Sequence, residues 1–257
     1  MSKMWSWLTR KSAMKTSTRL PQIDRVTYAI GDIHGCNDLF IKLLATIQAD
    51  ATELGEVPRL VLLGDYVDRG TDSSGVLDTI LELEGQTWCE LHVLLGNHEM
   101  MLKRFLLESD YGADWAAYGG AATLSSYNVP TPHPRAPEEA WEEARRALAQ
   151  NMPDQHGKLL DRAELKFIAG DYLFVHGGVK PGVPLDEQKA ETLLWIRDEF
   201  LSAPKACDYV VVHGHSARED VMQTDWRIGV DTGAYATGVL TAVRLRGSER
   251  VFINASR

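Results

Sequence analysis

The sequence predicts one large α/β domain, and three observations carry this prediction. Its 257 residues are 44% apolar and 25% charged, which supplies enough apolar material for a buried core and argues against global disorder. After Pro21, short apolar runs of β type alternate with segments of helix length. Five of these runs end in a glycine that has an aspartate, asparagine or histidine beside it. This alternation is typical of a layered fold built on buried strands.

The elements follow from the apolar pattern in chain order. Five buried strands are predicted at Val26–Ile30, Leu60–Leu63, Leu91–Leu95, Tyr172–Val175 and Tyr209–Val212. Helices are predicted at Asn37–Asp50, Ser73–Glu84 and His98–Ser109, with Asn37 and Ser73 as N-caps. The first two helices would connect neighbouring strands of the layered fold.

The composition changes between residues 108 and 166. A Gly/Ala stretch is followed by a proline cluster and then by a charged helix at Glu138–Gln150, which predicts a helical insertion or cap. Beyond it, the runs Arg227–Asp231, Val239–Arg246 and Val251–Asn254 predict the strands of a closing meander. We therefore expect a flexible basic extension over residues 1–25 and one domain over 26–257 that contains the insertion.

Composition also restricts location and partners. No apolar run approaches the roughly 20 residues that span a bilayer, and charged residues stand where a signal peptide would be apolar. The three cysteines form no CxxC pair, which favours a reducing compartment, so we expect a cytoplasmic protein. Residues 1–25 hold six basic residues and one acidic residue, and the remainder holds 21 basic and 35 acidic residues. Because phosphate backbones need a basic face, stable nucleic-acid binding is not expected.

Five motifs follow the five predicted strands. They are GDIHG (31–35), GDYVDRG (64–70), GNHE (96–99), HGG (176–178) and HGH (213–215). The carboxyl ends of strands in open α/β sheets form the crevice where ligands gather, so these loops can converge on one site. Every motif offers a metal ligand, and the set combines carboxylate and imidazole without thiolate. Such ligands suit Mn²⁺, Fe²⁺ or Zn²⁺, and their number favours two ions over one.

These motifs, GDYVDRG above all, resemble the metallophosphoesterase superfamily and, within it, the small bacterial and phage members of the phosphoprotein phosphatase family. The resemblance runs from about Val26 to Arg246 and implies two mixed β-sheets packed face to face between helices. It implies a dinuclear centre in which Asp65 bridges the ions, and we expect Mn²⁺ there, with Fe²⁺ or Zn²⁺ as alternatives. Asp32 and His34 would complete the first site, and the second site would use Asn97, His176 and His213.

The resemblance also implies the roles of the remaining motif residues. His98 would be the catalytic acid, oriented by Asp68, while a metal-bridging hydroxide attacks phosphorus. Arg69 would hold the phosphoryl group, together with Asn97 and with Arg197 of LLWIRDEF. His215 is interpreted as a residue that holds a metal ligand in position without binding the metal itself. Cys36 is interpreted as a packing residue.

The favoured function is hydrolysis of phosphate monoesters, with phosphoserine and phosphothreonine in proteins as the substrate class. A symmetrical bis(5'-nucleosyl)-tetraphosphatase, or another hydrolase of nucleotides or RNA 5' phosphates, is the main alternative. The YVDRG and HGG forms favour the protein phosphatase, since the dinucleotide hydrolases tend to carry other residues there. A nuclease lacks an evident basic track for a strand. A non-catalytic binding module is disfavoured because every expected ligand and His98 are present.

Overall fold

The structure is a computed structural model, and it describes residues 19–257. Its strands are β1 (Ile23–Ile30), β2 (Arg59–Leu62), β3 (Glu90–Val93), β4 (Lys166–Ala169), β5 (Tyr172–Val175), β6 (Val210–His213), β7 (Met222–Gln223), β8 (Arg227–Gly229), β9 (Val239–Gly247) and β10 (Glu249–Ser256). Its longer helices are α1 (Asn37–Leu54), α2 (Ser73–Glu84), α3 (Asn97–Leu107), α6 (Glu138–Asn151) and α7 (Asp154–Arg162). The short helices are α4 (Gly112–Trp115), α5 (Ala121–Ser126), α8 (Ala190–Trp195), α9 (Asp198–Leu201) and α10 (Ala234–Thr237).

The strands form two five-stranded mixed sheets. The first has the order β10-β9-β1-β2-β3, in which β1, β2 and β3 are parallel and β9 and β10 are antiparallel to their neighbours. The second has the order β4-β5-β6-β8-β7, with β5, β6 and β8 parallel. This architecture confirms the predicted fold class.

An apolar core lies between the two sheets. Alternate residues of the first sheet, such as Val61 and Val243, pack against Phe174, Val212 and other inward side chains of the second. The opposite face of the first sheet carries the largest apolar cluster, which includes α1, α2 and α3. The outer face of the second sheet has its own smaller cluster around Phe200 and Trp226. The molecule is thus layered as helix, sheet, sheet and short helices.

Several predicted details need correction. The last predicted strands do not form one meander, because β8 pairs with β6 in the second sheet while β9 pairs with β1 in the first. The short strands β4 and β7 were not predicted, and neither Asn37 nor Ser73 is a cap. Instead Cys36 precedes α1, and Asp72 caps α2 by accepting the Gly75 N–H.

The segment between α3 and β4 is mainly helical, as its composition indicates. It contains α4 to α7 and a π-helical turn at Ala116–Gly120, and Trp141 and Leu148 of α6 face the main core. Residues 1–18 of the predicted basic extension lie outside the described residues, and β1 begins at Ile23, three residues before the predicted strand. Over residues 19–257, none of the helices combines the length and the apolar run that a membrane crossing requires.

Candidate active site

The five motifs do converge. The loops after β1, β2 and β3 meet the loops after β5 and β6 where the two sheets end side by side. The first two loops are joined by backbone hydrogen bonds, since Ile33 and His34 both donate their N–H to the Asp65 carbonyl at 3.0 and 2.8 Å. Gly70 permits this contact, because a Cβ there would lie 2.0 Å from the His34 carbonyl oxygen.

Glu99 fixes the loop that carries Asp65. Its buried carboxylate accepts the backbone N–H groups of Asp65, Tyr66 and Val67 at 2.8, 2.7 and 3.2 Å, and that of Gly96 at 2.9 Å. Burial and the nearby Asp65 charge raise the pKa of Glu99 to about 7. Sequence reasoning gave Glu99 no role, although it ends the GNHE motif and its position at the third residue of a helix is typical of a residue that reaches back to the cap.

Asp65 lies between two groups of possible metal ligands. Nitrogen and oxygen atoms of His34, Asp65 and His98 come within 4.8 Å of one another, and so do those of Asp65, His176 and His215. The His34 Nε2 is 3.5 Å from one Asp65 oxygen, and the His176 Nε2 is 3.4 Å from the other. The Asn97 Oδ1 lies 2.9 Å from the same His176 nitrogen. The two sides of one carboxylate therefore face two separate ligand clusters.

The chemistry of these donors fits divalent cations. The Nδ1–H groups of His34 and His176 donate to the carbonyls of Val67 and Leu63, so each Nε2 turns a lone pair toward Asp65. Burial lowers the pKa of His34 to about 3 and lowers that of His176, so both rings are neutral at pH 7. A buried carboxylate surrounded by lone pairs needs a cation between them.

Asp32 adds further negative charge close to Asp65. It is buried, and its two oxygens accept the His215 N–H at 3.1 Å each. Burial, Asp231 and Asp65 hold the pKa of Asp32 well above its usual value. Asp231, to which sequence reasoning gave no role, is itself buried, and burial raises its pKa to about 6. Three carboxylates this close are the expected setting for a dinuclear site.

His213 does not match the sequence-based ligand assignment. It belongs to β6, and strand alternation places it on the same outer face as Val211, against the Phe200 ring at 5.0 Å. His215 lies beyond the strand, and its positive φ of 62° turns it back toward Asp65 and His176. The geometry therefore places His215 in the group where His213 was expected. The HGH tripeptide contains two histidines that could bind metal. Only the alternation of side chains along β6 shows which of them faces the active site.

His98 and Asp68 form a buried pair. The His98 Nδ1 is 2.7 Å from an Asp68 oxygen. Burial alone would lower the pKa of His98, but the charges of Asp65 and Asp68 outweigh it and raise this pKa above its ordinary value. The helical segment between α3 and β4 completes the pair, because the Trp115 Nε1–H and the Thr123 hydroxyl donate to Asp68 at 2.9 and 2.6 Å. Sequence reasoning did not anticipate these two donors.

Two guanidinium groups flank the ligand clusters. Arg69 lies 2.8 Å from the His34 Nε2 and 3.0 Å from the His98 Nε2, and its guanidinium covers the Tyr235 ring at 4.9 Å. Arg197 lies on the other side, where its Nε–H donates to the His215 Nε2 at 2.9 Å. The predicted phosphate-binding arginines are thus both next to the ligand groups. Cys36 is buried, in keeping with its interpretation as a packing residue.

Several known phosphatases are similar to this chain in sequence. An asymmetrical bis(5'-nucleosyl)-tetraphosphatase, PrpE, of Anoxybacillus flavithermus is 26% identical over 87% of this chain and 92% of its own. A zinc-dependent endopolyphosphatase of Saccharomyces cerevisiae is 29% identical over 66% of this chain, and a symmetrical bis(5'-nucleosyl)-tetraphosphatase of Nitrosospira multiformis is 30% identical over 62%. The chain spans 54% and 46% of the length of these two relatives.

Solved structures share the fold. A candidate diadenosine tetraphosphatase superposes with a TM-score of 0.61 at 22% identity, covering 92% of this chain and 96% of its own. The cold-active protein-tyrosine phosphatase of a Shewanella species reaches 0.55 at 18% identity, covering 89% and 80%. The family model for the calcineurin-like phosphoesterases matches residues 26–232. With this match and the convergent motifs, the chain belongs to the calcineurin-like metallophosphoesterase family, whose members hydrolyse phosphoester bonds at a centre of two divalent metal ions.

Proposed function

We propose that this protein is a metal-dependent phosphomonoesterase whose substrates are phosphoserine and phosphothreonine side chains. The observation that carries the proposal is the His98–Asp68 pair, which is buried, joined at 2.7 Å and braced by two further donors. A seryl alkoxide is a poor leaving group and needs a positioned acid, whereas a nucleotide leaves readily without one. An acid pair this firmly held favours the alkyl ester.

The ligand set we propose is built on the two clusters, with Asp32 and Asn97 added and His98 kept as the acid. Asp32, His34 and Asp65 would hold one ion, and Asp65, Asn97, His176 and His215 would hold the other. Two divalent ions in these places would acidify a water molecule and withdraw charge from the phosphoryl group. Mn²⁺ is the proposed native ion, and the same oxygen and imidazole donors accept Fe²⁺ or Zn²⁺.

The side chains of this protein would then bind the substrate and move one proton. Arg69 and Arg197 approach from opposite sides, so their planar donors can grip the phosphoryl oxygens, and the Asn97 amide can assist. The Arg69 guanidinium is 3.0 Å from the His98 Nε2. A phosphate held there puts its leaving oxygen within reach of the His98 proton, while Asp68 keeps the ring in place.

The cytoplasmic location remains a prediction from the sequence.

Hydrolysis of dinucleoside tetraphosphates is the second candidate. Tyr118, Trp195 and Tyr235 are the aromatic side chains that are more than a third exposed over residues 19–257, and all three border the site. Tyr235 packs against His34, Trp195 packs against His215, and Tyr118 precedes the Gly119 carbonyl that accepts the Arg69 N–H. Flat exposed rings on both sides of a phosphate site suit nucleobases. Several relatives are also named for this activity.

A side-by-side measurement separates the two candidates. The protein, loaded with Mn²⁺, is given phosphoserine and phosphothreonine peptides and, under the same conditions, diadenosine tetraphosphate. We expect the larger kcat/KM for the peptides. A preference of about tenfold or more for the dinucleotide corresponds to about 1.4 kcal/mol in the activation barrier. It would overturn the protein-phosphatase proposal and keep only the metal-dependent hydrolysis that both candidates share.

A further inference from the structure

A cavity lies on the outer face of the second sheet and reaches Asp231, which also borders the active site. It has a volume of about 340 Å³, several times the roughly 30 Å³ share of one water molecule in the liquid. The backbone register places Arg227 opposite Val211 and Gly229 opposite His213 on this face. Three buried polar atoms that lack a hydrogen-bond partner belong to residues lining this cavity: His213 Nε2, Ser216 Oγ and Arg227 Nε.

Arg227 is the unusual member of this group. It is 8% exposed, and its side chain donates to the Leu201 carbonyl at 3.2 Å. Three other arginines have a buried Nε without a partner, but Arg25, Arg59 and Arg244 each hold a carboxylate through their terminal nitrogens. Over the described residues, Arg227 has no carboxylate within 4.0 Å. A buried guanidinium that is not paired with an acid calls for an anion from elsewhere.

His213 supplies the complementary atom. Its Nδ1–H donates to the Gly214 carbonyl at 3.0 Å, so the unpartnered Nε2 carries a lone pair and accepts a hydrogen bond. Gly229 keeps room beside it, because a Cβ at that position would lie 3.2 Å from the His213 Nε2. The backbone of β8 is regular at Gly229 and does not itself require glycine. Glycine at this position therefore leaves space beside His213 and is not required by the backbone conformation.

We propose that this cavity binds a small oxyanion that carries a hydroxyl group, of which monohydrogen phosphate is the simplest example. Its charged oxygen would accept from the Arg227 Nε–H, its hydroxyl would donate to the His213 Nε2, and Ser216 could do either. Arg218 lies near enough that its charge helps lower the pKa of Arg227, after burial itself. Asp198 and Asp220 at the exposed rim and the buried Asp231 also line the cavity, and their charge disfavours ligands that carry more negative charge than Arg218 and Arg227 can balance.

Nuclear magnetic resonance can test this site separately from the active site, because arginine Nε–H groups give resolvable signals. Inorganic phosphate is titrated into the zinc-loaded protein, and the signals of Arg227 and Arg69 are followed, with Arg227→Met assigning the former. We expect the Arg227 signal to shift and saturate. In Gly229→Ala the apparent Kd at Arg227 should weaken by at least about tenfold while the Arg69 response is unchanged.

Gly157→Ala is the matched control, since a Cβ there meets nothing within 4 Å. Should Gly229→Ala fail to fold, His213→Gln replaces it with the same expected loss. An Arg227 signal that stays fixed at phosphate concentrations saturating Arg69 overturns the proposal, as does a full response in a folded Gly229→Ala or His213→Gln variant. Sulfate, which has no hydroxyl at neutral pH, should bind more weakly, and equal binding would overturn the role given to His213.

Discussion

Three histidines at the active site have one ring nitrogen held by a fixed acceptor, and this arrangement defines what the other nitrogen does. His34 and His176 use Nδ1 to bind backbone carbonyls, and His98 uses Nδ1 to bind Asp68. A carbonyl leaves the ring neutral, so Nε2 offers a lone pair to a cation. A carboxylate stabilises the charged ring, so the His98 Nε2 can carry a proton to give away once the Arg69 guanidinium, which donates to it here, turns to the phosphoryl group. One residue type thus supplies both ligand and acid.

Replacing His98 by asparagine tests the acid directly. His98→Asn should keep both metal ions but lower kcat by about 10²- to 10⁴-fold on phosphoserine peptides, because no group then protonates the alkoxide. The loss should be much smaller on an aryl phosphate, whose phenolate leaves without a proton. Kinetics on both substrates, with metal analysis of the variant, check the prediction. Equal losses on the two esters would remove His98 from the acid role.

The two histidines of the HGH motif provide a matched pair of substitutions. His215→Ala should reduce the metal content from about two ions per chain to about one, since His215 joins Asp65 and His176. His213→Ala removes the same ring two residues earlier, from the outer face of β6, and should retain both ions. Metal analysis after gel filtration distinguishes them. Full metal content in His215→Ala together with a loss in His213→Ala would restore the assignment made from sequence.

At the scale of elements, the segment between α3 and β4 contributes to the active site as well as to packing. Trp115 of α4 is fully buried, stacks on Phe105 at 4.9 Å and donates to Asp68. Thr123 of α5 holds the second Asp68 oxygen. The Gly119 carbonyl accepts the Arg69 N–H at 3.1 Å. The loop that carries Asp68 and Arg69 is therefore held in place from the side of the cap.

A tryptophan pair in this segment separates that role from packing. Trp115→Phe should lower kcat by about tenfold or more, because a lost hydrogen bond to a carboxylate costs about 1.5–3 kcal/mol. Trp141→Phe is the control, since Trp141 is also buried and packs near Phe105 but its Nε1 has no partner. Both variants should lose thermal stability, and only the first should lose turnover. Equal turnover in the two would make Trp115 a packing residue.

The sequence predicted elements well where one physical signal decides them. Runs such as Leu60–Leu63 are apolar on both faces, and their short length and the glycine-bounded motifs at their ends favour buried strands over helices. The sequence was not sufficient where the role of a residue depends on its three-dimensional surroundings. The phase of β6 separates His213 from His215, and the donors to Asp68 come from Trp115 and Thr123, about 50 residues away, in a segment without a recognisable motif.

At the scale of the whole molecule, both sheets must be in place to form the site. Asp32, Asp65 and His98 come from segments that follow strands of the first sheet, and His176 and His215 come from loops of the second. The buried carboxylates repel one another when no cation lies between them. Metal binding should therefore stabilise the packing of the two sheets as well as supply the chemistry.

Removing the metal ions should lower both activity and stability. Exhaustive chelation should abolish hydrolysis and lower Tm, because ions that bind only the folded chain add about 2.7 kcal/mol at 100 times their Kd. Mn²⁺ should restore both properties. In Asp65→Asn the restoration should fail, since Asp65 faces both ligand clusters. Calorimetry and activity on the same samples check this, and full activity with metal content near zero would refute the dinuclear site.

The net charge of the molecule makes opposite predictions for the two candidate substrates. The chain carries a formal charge of −9 at pH 7, and most of its acidic residues lie after residue 25. Such a field attracts phosphopeptides with basic flanks and repels a polyanionic dinucleotide, and salt weakens both effects as the screening length falls to about 10 Å at 0.1 M. We therefore expect kcat/KM to fall with rising KCl for an arginine-flanked phosphoserine peptide and to rise for diadenosine tetraphosphate.

A peptide with acidic flanks is the control, and its kcat/KM should rise with KCl as that of the dinucleotide does. If the dinucleotide rate instead falls with salt, a local basic surface guides that substrate, and the nucleotide function gains over the protein phosphatase.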